Sequence, residues 1–238
     1  MSGVLSVPEC LYVGIMAFFR LAQHPTTVTP PSNRSRNQRQ GKSDRKGHRN
    51  SAGQVRIIAG QWRGRKLAVA DVDGLRPTGD RVRETLFNWL QPLVAGSRCL
   101  DLFAGSGALG FEALSRQASR ATLVEPNGRA YAVLQQSAEV LGVPKSRARL
   151  VQASAEHFLS GNTDEYDIVF IDPPFDYELQ WDTLAVLASG HVADNGHVYI
   201  ESPTAQAMPE NLPGGFHVLK EKVFGDVHAR LLAREAIM

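Results

Sequence analysis

The run D-P-P-F at Asp172, Pro173, Pro174 and Phe175 closes an apolar stretch, residues 168–171. Proline ends strands because it brings no N–H to the ladder and fixes its own φ. That explains one proline but leaves the acid and the aromatic unexplained. A carboxylate, a carbonyl stiffened by two prolines and a ring suit one task together, which is gripping an exocyclic amine on a planar base. Such a nitrogen shares its lone pair with the ring and is a poor nucleophile. Hydrogen bonds from the amine to Asp172 and to the Pro173 carbonyl would hold it and turn the lone pair outward, while Phe175 stacks on the ring. A base inside a helix must first be flipped out or presented unpaired.

A second group of residues suits a cofactor. Gly105, Gly107 and Gly110 match G-x-G-x-x-G, a weak signal alone, which lets a ligand approach the backbone at a helix N-terminus. A dinucleotide is one reading. Asp101, four residues before the first glycine, argues against it, because its charge would face a pyrophosphate. A ligand with an ammonium and a sulfonium and no phosphate would welcome that carboxylate, and S-adenosylmethionine is such a ligand. Glu125, 24 residues beyond Asp101, suits the two hydroxyls of a ribose. Ser154 and Ala155 fall where an adenine would lie, and Phe103, inside the loop, completes the cofactor set.

These residues need strand ends to carry them. "RCLDLFAGSGALGFEALSR" reads as a strand, a glycine turn and a helix with Leu109, Ala113 and Leu114 on one face. "RATLVEP" is a second strand, and Asn127 caps the helix after it. "ARLVQAS", "YDIVFID" and "GHVYIES" are the third, fourth and fifth strands. Strands alternating with helices predict a doubly wound α/β fold with a mostly parallel sheet, whose ligands bind beyond the carboxyl ends of the strands. "FHVLKEKVFGDVHARLLARE" alternates around Gly225 and Asp226, a tight hairpin that brings the sheet to seven strands.

Upstream, "QVRIIAGQWRGRKLAV" predicts a β-hairpin bent at Gly60 and Gly64, and "GDRVRETLFNWLQPL" a helix turning Val82, Leu86, Trp89, Leu90 and Leu93 inward. Trp62 among Arg56, Arg63, Arg65 and Lys66 combines a stacking ring with phosphate-binding charge; Arg81 and Arg83 could extend that surface to RNA.

The 238-residue chain is 43% apolar, enough for one sizeable core with an appendage. Its two cysteines, Cys10 and Cys99, lack metal or redox spacing, and its seven histidines are scattered, so no metal site and a reducing compartment are expected. The net charge of +2 conceals a local +6 over residues 34–49, which leaves −4 for the rest. That arm has little to bury and reads as disordered, adding diffuse affinity for a polyanion. The apolar run at residues 10–19 is too short to cross a bilayer.

Four stretches in order, "RIIAGQWRGRKL", "LRPTGDRVRETLFNWL", "CLDLFAGSGALGFEALSR" and "DIVFIDPPF", resemble the bacterial 16S rRNA guanine-N2 methyltransferases of the RsmD family. The resemblance covers roughly residues 55–235. It implies a Rossmann-like class I fold and S-adenosylmethionine-dependent methylation of one guanine, position 966 in conventional numbering. The expected substrate is 16S rRNA in a small-subunit particle, methylated by a cytoplasmic monomer with no membrane association. The family's cofactor residues fall on Asp101, Gly105, Gly107 and Glu125, and its catalytic motif on residues 172–175. The expected organisation is a basic extension over 1–53, an RNA-binding hairpin and helix over 54–95, and a catalytic domain over 96–238. The basic arm is not part of the family core, and His228-Ala229 stands where an aromatic-containing strand is expected. Alternatives are a DNA adenine-N6 methyltransferase, which shares the amine clamp, and a non-catalytic RNA-binding assembly factor.

Overall fold

The computed structural model describes residues 53–72, 78–174 and 179–234. Expectations for the basic arm and for Phe175 fall outside the described residues.

The chain opens with two antiparallel strands, β1 (Gln54–Arg56) and β2 (Lys66–Ala68), with Val55 opposite Leu67. The bends between them fall at Gly60 and Gly64, as expected, with φ of +82° and +81°. Helix α1 (Asp80–Trp89) follows. The alternating part then runs β3 (Arg98–Asp101), α2 (Ala108–Ser115), β4 (Arg120–Val124), α3 (Gly128–Leu141) and β5 (Ala148–Val151). It continues through α4 (Ala155–Gly161), β6 (Tyr166–Ile171), α5 (Gln180–Ala188) and β7 (Val192–Pro203). The hairpin of β8 (Phe216–Phe224) and β9 (Val227–Arg234) turns at Gly225 and Asp226. The sheet order is β5-β4-β3-β6-β7-β9-β8, and only β9 runs against its neighbours. This is the expected seven-stranded class I arrangement.

Both sheet faces are covered, so the central strands carry continuous apolar runs, such as Ile168–Ile171, rather than alternating. Along β6, Ile168 and Phe170 join the core under α1, α2 and α3, and Val169 and Ile171 join the core under α4 and α5. Asn127 caps α3 as expected, its side chain accepting from Arg129 N and Ala130 N.

Helix α2 departs from the one-sided reading, because all eight of its residues are buried, Glu112 and Ser115 included. The N-terminal hairpin covers its outer face. Ile57, Trp62 and Leu67 enter the same core as Leu86, Phe87 and the sheet, each fully buried side chain contributing about 1.5–3 kcal/mol. Residues 54–95 therefore share a core with the sheet. The approach is close enough that a Cβ on Gly60 would lie 1.9 Å from the Ser115 carbonyl oxygen. Ser115 Oγ donates to the Ala59 carbonyl and accepts from Trp62 N.

Candidate active site

Side chains alternate between the two faces of a strand, and the register fixes what lies beside what. Leu123, Asp101, Phe170 and Tyr199 form one row across β4, β3, β6 and β7. Glu125, Asp172 and Glu201 each lie two residues further on, so each shares a face with its residue in that row. Four carboxyl groups thus gather at the carboxyl ends of four adjacent parallel strands, all on the face covered by α1, α2 and α3. The sequence singled out Asp101, Glu125 and Asp172. Glu201, the last acid of the "GHVYIES" strand, was missed. Its parity with Tyr199 and its place at a strand end were the available signals.

Asp101 is 2% exposed. Its Oδ2 accepts the Gly110 N–H at 2.9 Å. Gly110 is the third residue of α2, a helix whose N-terminus has no capping side chain, so Asp101 supplies the missing acceptor from the neighbouring strand. Asp101 is thereby a brace for the glycine loop, a role its expected place in front of a cation did not anticipate. Burial pushes its carboxyl up to about 7, against the pull of the Gly110 bond. Within the loop Gly107 has φ +78°, and a Cβ there would lie 2.5 Å from the Phe111 ring, so glycine is required.

Glu125 accepts the Gly105 N–H at 2.9 Å and the Asn127 N–H at 2.8 Å, one on each carboxylate oxygen. Burial raises its pKa, partly offset by these two bonds. Each oxygen keeps a second lone pair. Beyond this strand end a cavity of about 620 Å³ is lined by Asp71, Val72, Asn127, Gly128 and Arg129. Ser154 accepts the His157 N–H as the cap of α4, and Ala155 is buried, so this segment offers backbone and methyl surface. Phe103 packs partly buried against the α4–α5 core.

Asp172 receives the Thr78 hydroxyl on Oδ2 at 2.5 Å. Burial lifts its pKa to about 6, with the Thr78 bond pulling the other way. Pro173 is buried and Pro174 exposed. Thr78 comes from the segment before α1, so the N-terminal appendage reaches the end of β6 directly.

Residues 55–233 match the family described as Conserved hypothetical protein 95. The ribosomal RNA small subunit methyltransferase D of Escherichia coli (strain K12) is 48% identical over 194 residues, which cover 81% of this chain and 96% of that protein. The chain belongs to the ribosomal RNA small subunit methyltransferase D family. The Haemophilus influenzae member is 45% identical over 185 residues, 76% of this chain and 95% of its own. The solved structure of yhhF from Escherichia coli superposes with a TM-score of 0.71 at 46% identity, covering 78% of this chain and 100% of that one.

In this methyltransferase D chain the basic residues expected at RNA divide into two sets. Arg56, Arg63, Arg65, Lys66 and Arg81 are exposed. Arg65 donates to the Val140 carbonyl at 2.7 Å, and Arg56 reaches Asp80 at 3.4 Å. Arg83 and Trp62 correct the expectation. Arg83 is fully buried, donating to the Arg56 and Thr78 carbonyls and pairing with Asp80 at 2.6 Å. Trp62 is 6% exposed and packs in the main core with the Arg147 guanidinium 6.0 Å from its ring, which leaves no free stacking face. Both bind the hairpin to the sheet, Trp62 through its apolar ring and Arg83 through three acceptors that pair its guanidinium inside the fold. The divergent His228-Ala229 segment forms regular β9, with His228 Nε2 3.0 Å from Glu221 and Nδ1 accepting from Arg230.

Proposed function

We propose that this chain transfers a methyl group from S-adenosylmethionine to the exocyclic N2 amine of one guanine, position 966 in conventional numbering, in 16S rRNA of the small ribosomal subunit. The observation that carries the reading is Asp172, a partly buried carboxylate at the end of β6 with Oδ2 satisfied by Thr78, followed by buried Pro173. The named relatives, ribosomal RNA small subunit methyltransferases D, support an rRNA substrate.

The residues present fit the cofactor. Glu125 retains lone pairs for two ribose hydroxyls, an open cavity lined by Asn127 and Gly128 lies at the start of α3 just beyond it in the chain, and acids rather than phosphate-binding cations crowd the strand ends. Asp101 and Gly107 shape the loop, with Gly105, Phe103, Ser154 and Ala155 around it. When bound, S-adenosylmethionine supplies an electrophilic methyl on a sulfonium. The chain's own task is to hold the amine. Asp172 Oδ1 and the Pro173 carbonyl accept its two N–H groups, and Phe175 stacks on the base. With the methyl so supplied, the held amine nitrogen would be its acceptor, and Asp172 would take the proton that the nitrogen gives up. The exposed Arg56, Arg63, Arg65, Lys66 and Arg81 grip phosphates, while the basic arm over 1–53 adds diffuse attraction. In this reading residues 54–95 are the RNA-binding appendage and 96–238 the catalytic unit, working as a monomer on a small-subunit particle in the cytoplasm. Among the described residues no helix is long and apolar enough to cross a membrane.

Asp172→Ala tests the clamp. Transfer of labelled methyl to small-subunit particles should be abolished, with cofactor binding largely kept. Undiminished turnover would refute the clamp and favour a non-catalytic role for this strand end.

A further inference from the structure

Two acids stand side by side at the ends of β6 and β7, and the amine clamp uses one of them. Ile171 pairs with Ile200, so Glu201, one residue on, is level with Asp172, one strand away and on the same face. Adjacent strands lie about 4.8 Å apart. Asp101, on the other flank, pairs with Phe170, two residues before Asp172, and its carboxyl already takes the Gly110 N–H. Glu201 is 3% exposed, and among the described residues it enters no ion pair. Its Oε1 accepts the Tyr199 hydroxyl at 2.7 Å.

We propose that Glu201 is a specificity-determining residue for the methyl transfer, accepting the ring N1–H of the target guanine while Asp172 holds the N2 amine of the same base. The inference rests on the clamp reading of Asp172. In guanine the N1–H is the donor next to the exocyclic amine, and a flipped base is read along that edge. Asp172 Oδ2 already accepts the Thr78 hydroxyl at 2.5 Å, which leaves Oδ1 for one amine N–H, and the Pro173 carbonyl takes the other. The N1–H then needs an acceptor of its own, since a buried donor left unpaired is costly. The carboxyl level with Asp172 supplies it.

The neighbours hold Glu201 in place and set no cation against it. Tyr199, on the same face of β7, fixes the carboxyl with its hydroxyl. On β9, Ala229 lies opposite Glu201 and brings only a methyl, while Arg230 and His228 engage Glu221 and Ser202. Burial and the Asp172 charge raise the Glu201 pKa, with Tyr199 and Thr78 pulling the other way. A carboxyl in either protonation state keeps an oxygen that accepts an N–H. A base that lacks the N1–H would leave that oxygen unpaired, and a site built around a hydrogen bond rejects such an analogue strongly.

The test uses the full-length protein on small-subunit particles reconstituted with either guanine or 2-aminopurine at the target position. 2-Aminopurine keeps the amine and lacks the N1–H. Wild type should methylate the guanine particle at least about tenfold better in kcat/KM. Glu201→Leu should bring the two substrates within about threefold by losing activity on guanine alone, at unchanged cofactor affinity. Glu201→Gln, whose amide oxygen still accepts an N–H, should keep most of the preference. Wild type without a preference would overturn the inference. So would a Glu201→Leu variant that loses activity on both particles in the same proportion, which is what a merely structural Glu201, or an Asp172 that reads the N1–H by itself, would give. Should Glu201→Leu fail to fold in urea melts, Tyr199→Phe decides instead, because it frees the Glu201 carboxyl from the hydroxyl that fixes it. The preference should then fall at least about twofold, and an unchanged ratio would overturn the inference. Wild type inactive on guanine particles would instead overturn the substrate reading, and Asp172→Ala as active as wild type the clamp; this inference falls with either.

Discussion

Asp101, Glu125, Asp172 and Glu201 have the same chemistry and four different occupations, set by what donates to each. Asp101 closes a helix end, Glu125 binds two loop amides, Asp172 meets the Thr78 hydroxyl, and Glu201 meets a tyrosine. Glu125 should be the residue that separates cofactor affinity from folding. Hydrogen bonds to a charged group contribute about 1.5–3 kcal/mol, so Glu125→Gln should weaken S-adenosylmethionine binding roughly ten- to hundredfold. Equilibrium titration checks this, and a change smaller than threefold would take Glu125 out of the ribose site. The sequence showed three of these acids because each sits beside a recognisable turn. Glu201 has no such neighbour, and it joins the row only through the register of β7 on β6.

At the scale of elements, the N-terminal hairpin and α1 are the part whose function the sequence read least well. Hairpin, bends and helix were legible from alternation, glycines and helical spacing. Which basic and aromatic side chains face out was not, because one strip of the hairpin is buried against α2. Glu112 anchors that contact, accepting from Ile58 N at 2.7 Å, Ala59 N at 3.0 Å and Arg116 at 2.7 Å, with Arg83 3.9 Å away. Removing one partner of a buried charge pair costs about 3–5 kcal/mol, so Glu112→Ala should lower the urea midpoint sharply, whereas exposed Arg81→Ala should leave it unmoved. The RNA grip belongs to the outer strip. Replacing Arg63 and Arg65 together with Ala should reduce methylation more at physiological salt than deleting residues 1–53, whose contacts are screened. Parallel labelled-methyl assays decide this, and a dead truncation beside a normal double variant would reverse the assignment.

For the whole molecule, gathering acids at one edge of the sheet ties stability to pH. Burial lifts the folded pKa of Asp101 to about 7 and of Asp172 to about 6, both above the ordinary aspartate range. A raised carboxyl contributes stability that is fully present below the unfolded pKa and lost as pH rises through the folded value. Between pH 5 and pH 8 the cofactor-free protein should therefore lose stability, on the order of a few kcal/mol from Asp101. Asp101→Asn should flatten that dependence in urea melts, and an unchanged slope would place the effect elsewhere. The same edge, with its acids, glycine loop and proline-stiffened clamp, is what the account assigns to amine methylation on RNA. The most direct test is mass-spectrometric mapping of the nucleotide that gains a methyl when the protein acts on small-subunit particles lacking the mark. The account predicts one methyl on the N2 amine of a single guanine in 16S rRNA; methyl found on adenine of duplex DNA, with the particles untouched, would contradict it.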